Sequence, residues 1–507
     1  MINLLVNELF YYAKKNFGLD DELDFLYVKN LVLGELNLDY FEEAEVDCEK
    51  IDDMSNPDYF SEELTKYFKE ELKIDDDNLI DCKVTKIFGL LTPPPSSVST
   101  RFSEIYQEEG DQQALKYLYY LSIKNDYIKK SKIDRNIIWM SEFPSNNLEI
   151  SINLSKPEKN NKDIAKLLTK PANSLKYPSC LLCKENLGYF GRNGHPARTN
   201  IRYIPLNLSD EKWYLQYSPY GYFNMHSIVF KSTHTNMVIN KTTFNNLLTF
   251  VDEFPYFFIG SNADLPIVGG SILNHEHYQG GEHLLPVMKA KNKKEFALGD
   301  NYSSKLYQLD WYNTCLMVEG KDKDDVIDVA TKILESWRKY DDLKNSIVSK
   351  DGNDFHNTIT PSCRKDGENY KLYLILRNNR TSEEYPDGIF HAHKEYHHIK
   401  QEGIGIIEAM GLFILPARLV RQTEQIKDCL ARKLNPKEIV ETYPDMTGNF
   451  LEMIKKLSKG YKKETINDEI RHYIDDVCKN ILINTSVFKD DIKGRVGLDR
   501  FIGGIKF

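Results

Sequence analysis

Apolar residues in the first part of the chain recur three and four positions apart. Leu64, Tyr67, Phe68 and Leu72 follow Ser61 at this spacing, which predicts a helix with Ser61 as its N-cap. Residues 1–90 read as helical throughout. The run Thr92-Pro93-Pro94-Pro95-Ser96-Ser97 cannot continue a helix and marks a linker or a sharp turn. Beyond Asp111, Leu115, Leu118 and Ile123 share one side of a further predicted helix. At Leu148 the period changes. Leu148, Ile150, Ile152 and Leu154 alternate with Glu149, Ser151 and Asn153, the pattern of a half-buried strand. Pro157 and the polar run to Asn161 suggest a boundary, placed near residue 165.

From 170 to 290 the chain reads as short strands, aromatic clusters and Gly/Pro punctuation. Phe244, Leu247, Leu248 and Val251 predict a helix, and Tyr256 to Ile259 an aromatic strand. Beyond residue 290, Val326, Val329, Ile333 and Trp337 predict a helix and Leu372 to Leu376 a strand. The part beyond Pro416 is mainly helical by period. Each half runs helix, strand, then a His-x-His pair, His275/His277 and His391/His393, which hints at a duplicated α+β unit.

Composition narrows the function classes. The 507 residues carry 66 Lys+Arg against 76 Asp+Glu, a formal charge of −10, and 41% are hydrophobic. That balance argues against a general nucleic-acid binder, which needs a basic face. It does not exclude a small anionic substrate held in a locally positive pocket. The first twenty residues lack a basic leader, and Asn7 and Glu8 interrupt their apolar stretch, so they do not read as a secretory signal. The segment Gly403 to Ala417 is broken by Glu408 and Pro416 and falls short of a membrane span. Eight cysteines are too few for a disulfide scaffold, and the default is a soluble cytoplasmic protein without membrane partners.

The chemistry concentrates in residues 264–281. Gly269-Gly270 and Gly280-Gly281 bracket His275, His277 and Gln279, spaced i, i+2, i+4. On a strand these three share one face, about 6.6 Å between alternate residues, with Glu276 and Tyr278 on the other. Two imidazoles and an amide beside glycine backbone suit phosphate chemistry. Neutral histidine attacks phosphorus directly, and the phospho-imidazole passes the group on. An amide donates hydrogen bonds but supplies no titrating proton. A lone His-x-His is more often structural or metal-binding; the glycine pairs and Gln279 shift the balance to catalysis.

The wording GGSILNHEHYQGG resembles the active-site strand of the histidine-triad superfamily, and specifically the class II (type 2) galactose-1-phosphate uridylyltransferases. Further blocks carry the likeness: Leu148–Leu167, Cys180–Arg202, Ser218–Phe230, His356–Pro361 and Tyr385–Pro416. The resemblance implies an α+β fold of two histidine-triad-like units, each an antiparallel sheet with packed helices, behind a helical N-terminal region. The implied division is 1–165 for that helical region, 166–290 for a catalytic unit with the C-x2-C and His-x-His-x-Gln motifs, and 291–507 for a second unit with a helical extension. It implies exchange of a uridylyl group between UDP-glucose and galactose 1-phosphate through a covalent uridylyl-histidine on His277. Gln279 stands where the hydrolases of the superfamily carry a third histidine. Class I members place proline between the two histidines, where this chain has Glu276.

Cys180-x2-Cys183 presents two thiolates to one tetrahedral zinc, and two further ligands are needed. Two plain buried thiols are the alternative. The class I pattern, carried over, gives Cys180, Cys183, His234 and His275 around a structural zinc, with no organic cofactor. For substrate, Arg198 and Arg202 suit bidentate phosphate contacts, as does Arg192. Asn262, Gly270 and Ser271 lie upstream of the histidine pair, where the superfamily binds nucleotide and phosphate. The resemblance also admits a homodimer. Two other functions fit the motif: a dinucleoside polyphosphate phosphorylase or hydrolase of the same superfamily, and a zinc-stabilised nucleotide-binding module without activity.

Overall fold

The computed structural model describes residues 2–155, 177–270 and 272–507. The boundary expected near residue 165, and Ser271, lie outside the described residues. The chain forms two compact units, Met1–Arg135 with Lys159–Thr235, and Asn136–Glu158 with Asn236–Phe507. The segment 166–290 therefore contributes to both units, changing over at Thr235.

The first unit opens with helices, as the periodicity predicts: Ile2–Phe17, Glu22–Glu35, Asp58–Glu70, Asp77–Leu91, Pro95–Glu109 and Asp111–Lys124 are the long ones. Tyr12, Phe60, Phe68 and Phe88 fill its core. The helix expected behind an N-cap at Ser61 begins four residues earlier, at Asp58, with Pro57 at the N-cap position. Ser61 lies inside it, and its hydroxyl donates to Asp126 Oδ2 at 2.6 Å instead of capping. Pro93 and Pro94 make a sharp turn rather than a linker, because Pro95 is already the first residue of the next helix. Three antiparallel strands follow in this unit: Ile204–Leu208, Glu211–Tyr217 and Ser227–Lys231.

The second unit is built on seven antiparallel strands. Their spatial order is His277–Gly281, Phe258–Gly260, Asn357–Asp366, Asn369–Asn378, Cys315–Gly320, Lys305–Leu309 and Asn292–Phe296. The amphipathic helices Lys241–Glu253 and Lys323–Trp337 pack on this sheet. A smaller sheet places Glu149–Asn153 centrally, antiparallel to Ile137–Met140 and parallel to Leu412–Pro416. Central position buries both faces of that strand, so Ser151 and Asn153 are covered as well as Ile150 and Ile152. The half-buried strand expected there is thus an interior one. Five helices follow Pro416. The molecule is of the α+β class expected.

The repeated order of elements is not the helix, strand, His-x-His order expected. The order strand, strand, helix, strand, strand occurs over 211–281, and recurs over 305–378 with a 3-10 turn at Leu343–Asn345 and the two-residue strands Lys350–Asp351 and Asp354–Phe355 inserted after the helix. The counterpart of His277–Gly281 is therefore Asn369–Asn378. His391 and His393 come after it, in a loop whose main chain turns at Gly388 with φ of 117°. That backbone cannot present an alternating strand face, so the second histidine pair is not the equivalent of the first.

Candidate active site

The strand His277–Gly281 runs antiparallel to Phe258–Gly260, with Gln279 opposite Gly260 and Gly280 opposite Ile259. Gly280 has to be glycine here: a Cβ would lie 2.3 Å from the Phe258 carbonyl oxygen. Tyr278 points away from the His277 side, its hydroxyl receiving Asn246 Nδ2 at 3.0 Å and reaching Glu276 Oε1 at 3.4 Å. That is the alternation expected. His275 precedes the strand and is buried. Gln279 is half-buried.

His277 is 6% exposed. Its Nδ1 stands 2.7 Å from the carbonyl oxygen of His275. A carbonyl only accepts, so Nδ1 carries the hydrogen and Nε2 carries the lone pair. Burial pushes the imidazole pKa down to about 4; the His275 carbonyl pulls against that, and the His275 ring adds to it. The ring is therefore neutral near pH 7, in the tautomer that leaves the lone pair on Nε2. The His277 main-chain N–H points to Met237 Sδ at 3.3 Å, and Met237 N–H donates to Leu273 O at 2.8 Å, so the approach to the strand is held on both sides.

Upstream, Asn262 is buried and joins two segments. Its Oδ1 accepts the Ile406 N–H at 2.9 Å, and its Nδ2 lies where a Cβ on Gly270 would come within 2.4 Å. The loop carrying Ile406 is gripped again at Ile404. Arg377 Nη2 donates to the Ile404 carbonyl at 2.9 Å, and the Ile404 N–H donates to His391 Nε2 at 3.3 Å. The pattern of the sequence did not single out Arg377, because it falls within a continuous strand pattern.

In the first unit, Cys180 Sγ lies 3.5 Å from Cys183 Sγ, and Cys183 Sγ lies 3.0 Å from His234 Nδ1. All three donor atoms fall within 4.8 Å of one another. Ligand atoms around a tetrahedral zinc with Zn–S near 2.3 Å stand about 3.7 Å apart, so this donor set fits that metal. The support for it was missed from sequence. Asn186 Nδ2 donates to the carbonyls of both Cys180 and Cys183, at 2.8 and 2.7 Å, and its Oδ1 accepts from His195 Nε2 at 2.6 Å. The spacing Cys-x2-Cys-x2-Asn was the signal available.

The two candidate arginines separate. Arg202 is buried, and its five N–H donors go to the carbonyls of Pro93, Thr199, Ile201, Gly89 and Thr92. It clamps the end of the helix Asp77–Leu91, and a phosphate finds no donor there. Arg198 donates to its neighbour Ala197 O at 3.0 Å and lies 5.5 Å from the Tyr127 ring centre, half-buried. Arg192 is turned to the main-chain carbonyls of Tyr177 and Pro178 and to the Tyr189 hydroxyl.

Known families give the assignment. The N-terminal-domain model of galactose-1-phosphate uridyl transferases matches residues 52–236, and the C-terminal-domain model matches residues 250–445. The chain belongs to this family. It is similar to a galactose-1-phosphate uridylyltransferase of Clostridium acetobutylicum, at 42% identity with 99% of each chain covered. One from Halalkalibacterium halodurans is 40% identical over 99% of this chain and 98% of that one. A solved yeast Ap4A phosphorylase aligns with 68% of this chain and 92% of its own at 10% identity and a TM-score of 0.32, too slight a likeness to weigh. The transferase family thus accounts for both the Cys180–Cys183 half and the His277 half of the motif set. Among the described residues no helix is long and apolar enough to cross a membrane.

Proposed function

We propose that this chain exchanges a uridylyl group between UDP-glucose and galactose 1-phosphate, by double displacement on His277. The observation that carries the reading is the bond from His277 Nδ1 to the His275 carbonyl, which leaves the Nε2 lone pair as the reactive one. In the first step Nε2 attacks the α-phosphorus of UDP-glucose. The N–P bond forms, the bond from that phosphorus to the bridging oxygen breaks, and glucose 1-phosphate leaves with the electron pair. The positive charge that develops on the ring is stabilised by the same carbonyl. In the second step a phosphate oxygen of galactose 1-phosphate attacks the uridylyl phosphorus, the N–P bond breaks, and UDP-galactose departs. Gln279 donates a hydrogen bond to a phosphoryl oxygen and offers no proton to water. Asn262, Gly270, Ser271 and Arg198 are the proposed substrate contacts, and the reducing cytoplasm is the proposed place of work.

Cys180, Cys183 and His234 would hold a zinc, with His275 proposed as the fourth ligand. When bound, the metal supplies structural anchoring and no chemistry at phosphorus. The test is incubation with UDP-glucose labelled in its uridylyl group, followed by mass mapping of the labelled peptide. Label on His277, absent in His277→Gly, is the expected result. A covalent adduct that persists in His277→Gly would overturn the assignment.

A further inference from the structure

Arg202 and Arg377 are both buried, and their hydrogen bonding differs sharply. Arg202 directs its donors to five carbonyls. Arg377, 1% exposed on the strand Asn369–Asn378, is far less satisfied. Its Nη2 donates to the Ile404 carbonyl at 2.9 Å, its Nη1 reaches the Thr360 hydroxyl only at 3.5 Å, and its Nε is buried with no partner. The carboxylate that acts on it, Glu408, is taken by Lys400 Nζ at 3.0 Å. Burial lowers the Arg377 pKa to about 10, so the guanidinium stays charged at neutral pH. A buried charge without a counter-charge is costly. Among the described residues nothing balances this one, which points to an anion from outside the fold.

Position says which anion. Arg377 is paired with Thr358 across neighbouring strands. The Thr358 hydroxyl bonds to Asp264 Oδ1, in the segment that carries Asn262 and Gly270. Arg377 itself holds Ile404, in a loop that lies against that same segment. A Cβ on Gly403 would come 3.6 Å from the Ile267 carbonyl oxygen, and one on Gly405 3.0 Å from Asn262 Oδ1. One cross-strand pair thus ties both segments together, within the second unit. The Ile406 N–H then fixes the Asn262 carboxamide. An N–H only donates, so Oδ1 faces Ile406 and the Nδ2 donor is turned toward Gly270.

We propose that Arg377 is a positioning residue for the diphosphate of UDP-glucose. Through Ile404 and Ile406 it sets the Asn262 donor, and its charge is balanced only when the diphosphate lies on Asn262 and Gly270. This rests on Asn262 and Gly270 being substrate contacts, as proposed above.

Calorimetric affinities of the full chain for UDP and for uridine, taken beside the thermal melt, test this. Arg377→Met removes the charge and keeps an apolar filling. Its melt is expected to be unchanged or higher, because an unbalanced buried charge is gone. Its affinity for UDP relative to uridine should fall by about tenfold or more, since uridine carries no phosphate. Arg377→Lys keeps the charge and should hold that ratio within about threefold of the unaltered chain. An unchanged ratio in Arg377→Met would overturn the proposal. So would a Met variant that melts lower or does not fold, which would make Arg377 a part of the fold as Arg202 is. A Lys variant that loses as much as the Met variant would show that charge is not the property in use. Labelling of His277 in the unaltered chain separates the two levels. Label present with an unchanged ratio in Arg377→Met removes the Arg377 role alone. Label absent, with UDP bound no more tightly than uridine, removes the uridylyl-transfer reading and the Arg377 role with it.

Discussion

The carbonyl oxygen of His275 stands 2.7 Å from Nδ1 of His277 and decides which ring nitrogen of His277 keeps its lone pair. Gln279, two residues further along the same strand, carries no titrating proton. Putting an imidazole there supplies one for water. Gln279→His is therefore expected to slow uridylyl transfer and to raise the share of intermediate lost to hydrolysis by about tenfold or more. The ratio of UDP-galactose to free UMP, formed from labelled UDP-glucose with galactose 1-phosphate present, measures it. An unchanged ratio would remove Gln279 from the partition.

Protein purified without chelator is expected to carry about one zinc per chain. Cys183→Ser should lose both metal and stability. Asn186→Ala tests the support separately. It removes one donor from each of the Cys180 and Cys183 carbonyls, which keep the Cys183 and Asn186 main-chain N–H groups, and takes away the acceptor of the buried His195 Nε2, so a loss of about 1–3 kcal/mol and faster metal release to a chelator are expected. Metal retention equal to that of the unaltered chain would show that the carboxamide does not order the cysteine loop.

Arg202→Lys should act on stability and not on substrate binding. Lysine has three donors and no planar fork to reach five carbonyls around the end of the helix Asp77–Leu91. The expected loss is about 2–3 kcal/mol, from charge-assisted hydrogen bonds that lysine leaves unmade. The KM for UDP-glucose, measured at a temperature where the variant is folded, should stay within about twofold. A large rise in KM with an unchanged melt would restore the phosphate role expected from sequence.

Stability should fall in mild acid. Burial holds the His391 pKa at about 4, with the neighbouring Arg377 and His397 charges pushing the same way. In the unfolded chain the ring titrates near 6.5. Between those values the unfolded state binds the extra proton, so this contribution is intact above about pH 6.5 and is lost as pH falls toward about 4. From this ring the loss is about 3 kcal/mol. His391→Asn should flatten the dependence of denaturation free energy on pH across that window, and an unchanged slope would contradict the assignment.

Much of the site was legible because it is local. The alternation that sets Tyr278 opposite to His277 follows from the two-residue period of any strand. The Cys180–Cys183 spacing follows from how a short loop brings two thiols together. Helix positions in both units follow from the period of Leu115, Leu118 and Phe244, Leu247, Leu248, Val251. Errors arose where the deciding partner is distant. Ser61 read as a cap, and Asp126 draws it into the interior instead. The His391/His393 pair read as a counterpart of His275/His277, yet the His391 ring accepts from the main chain of Ile404.

Arg198 and Arg202 show the division most clearly. In the sequence they are the same residue type, four positions apart, in one basic segment, and both suit a phosphate equally. The chemistry available to each side chain, and the period of the elements carrying it, were set by the sequence alone. Only the tertiary structure brought the Gly89, Thr92 and Pro93 carbonyls from more than a hundred residues away onto Arg202. Hydrogen bonds are short and directional, so which donor is engaged depends on which distant backbone the fold delivers to it.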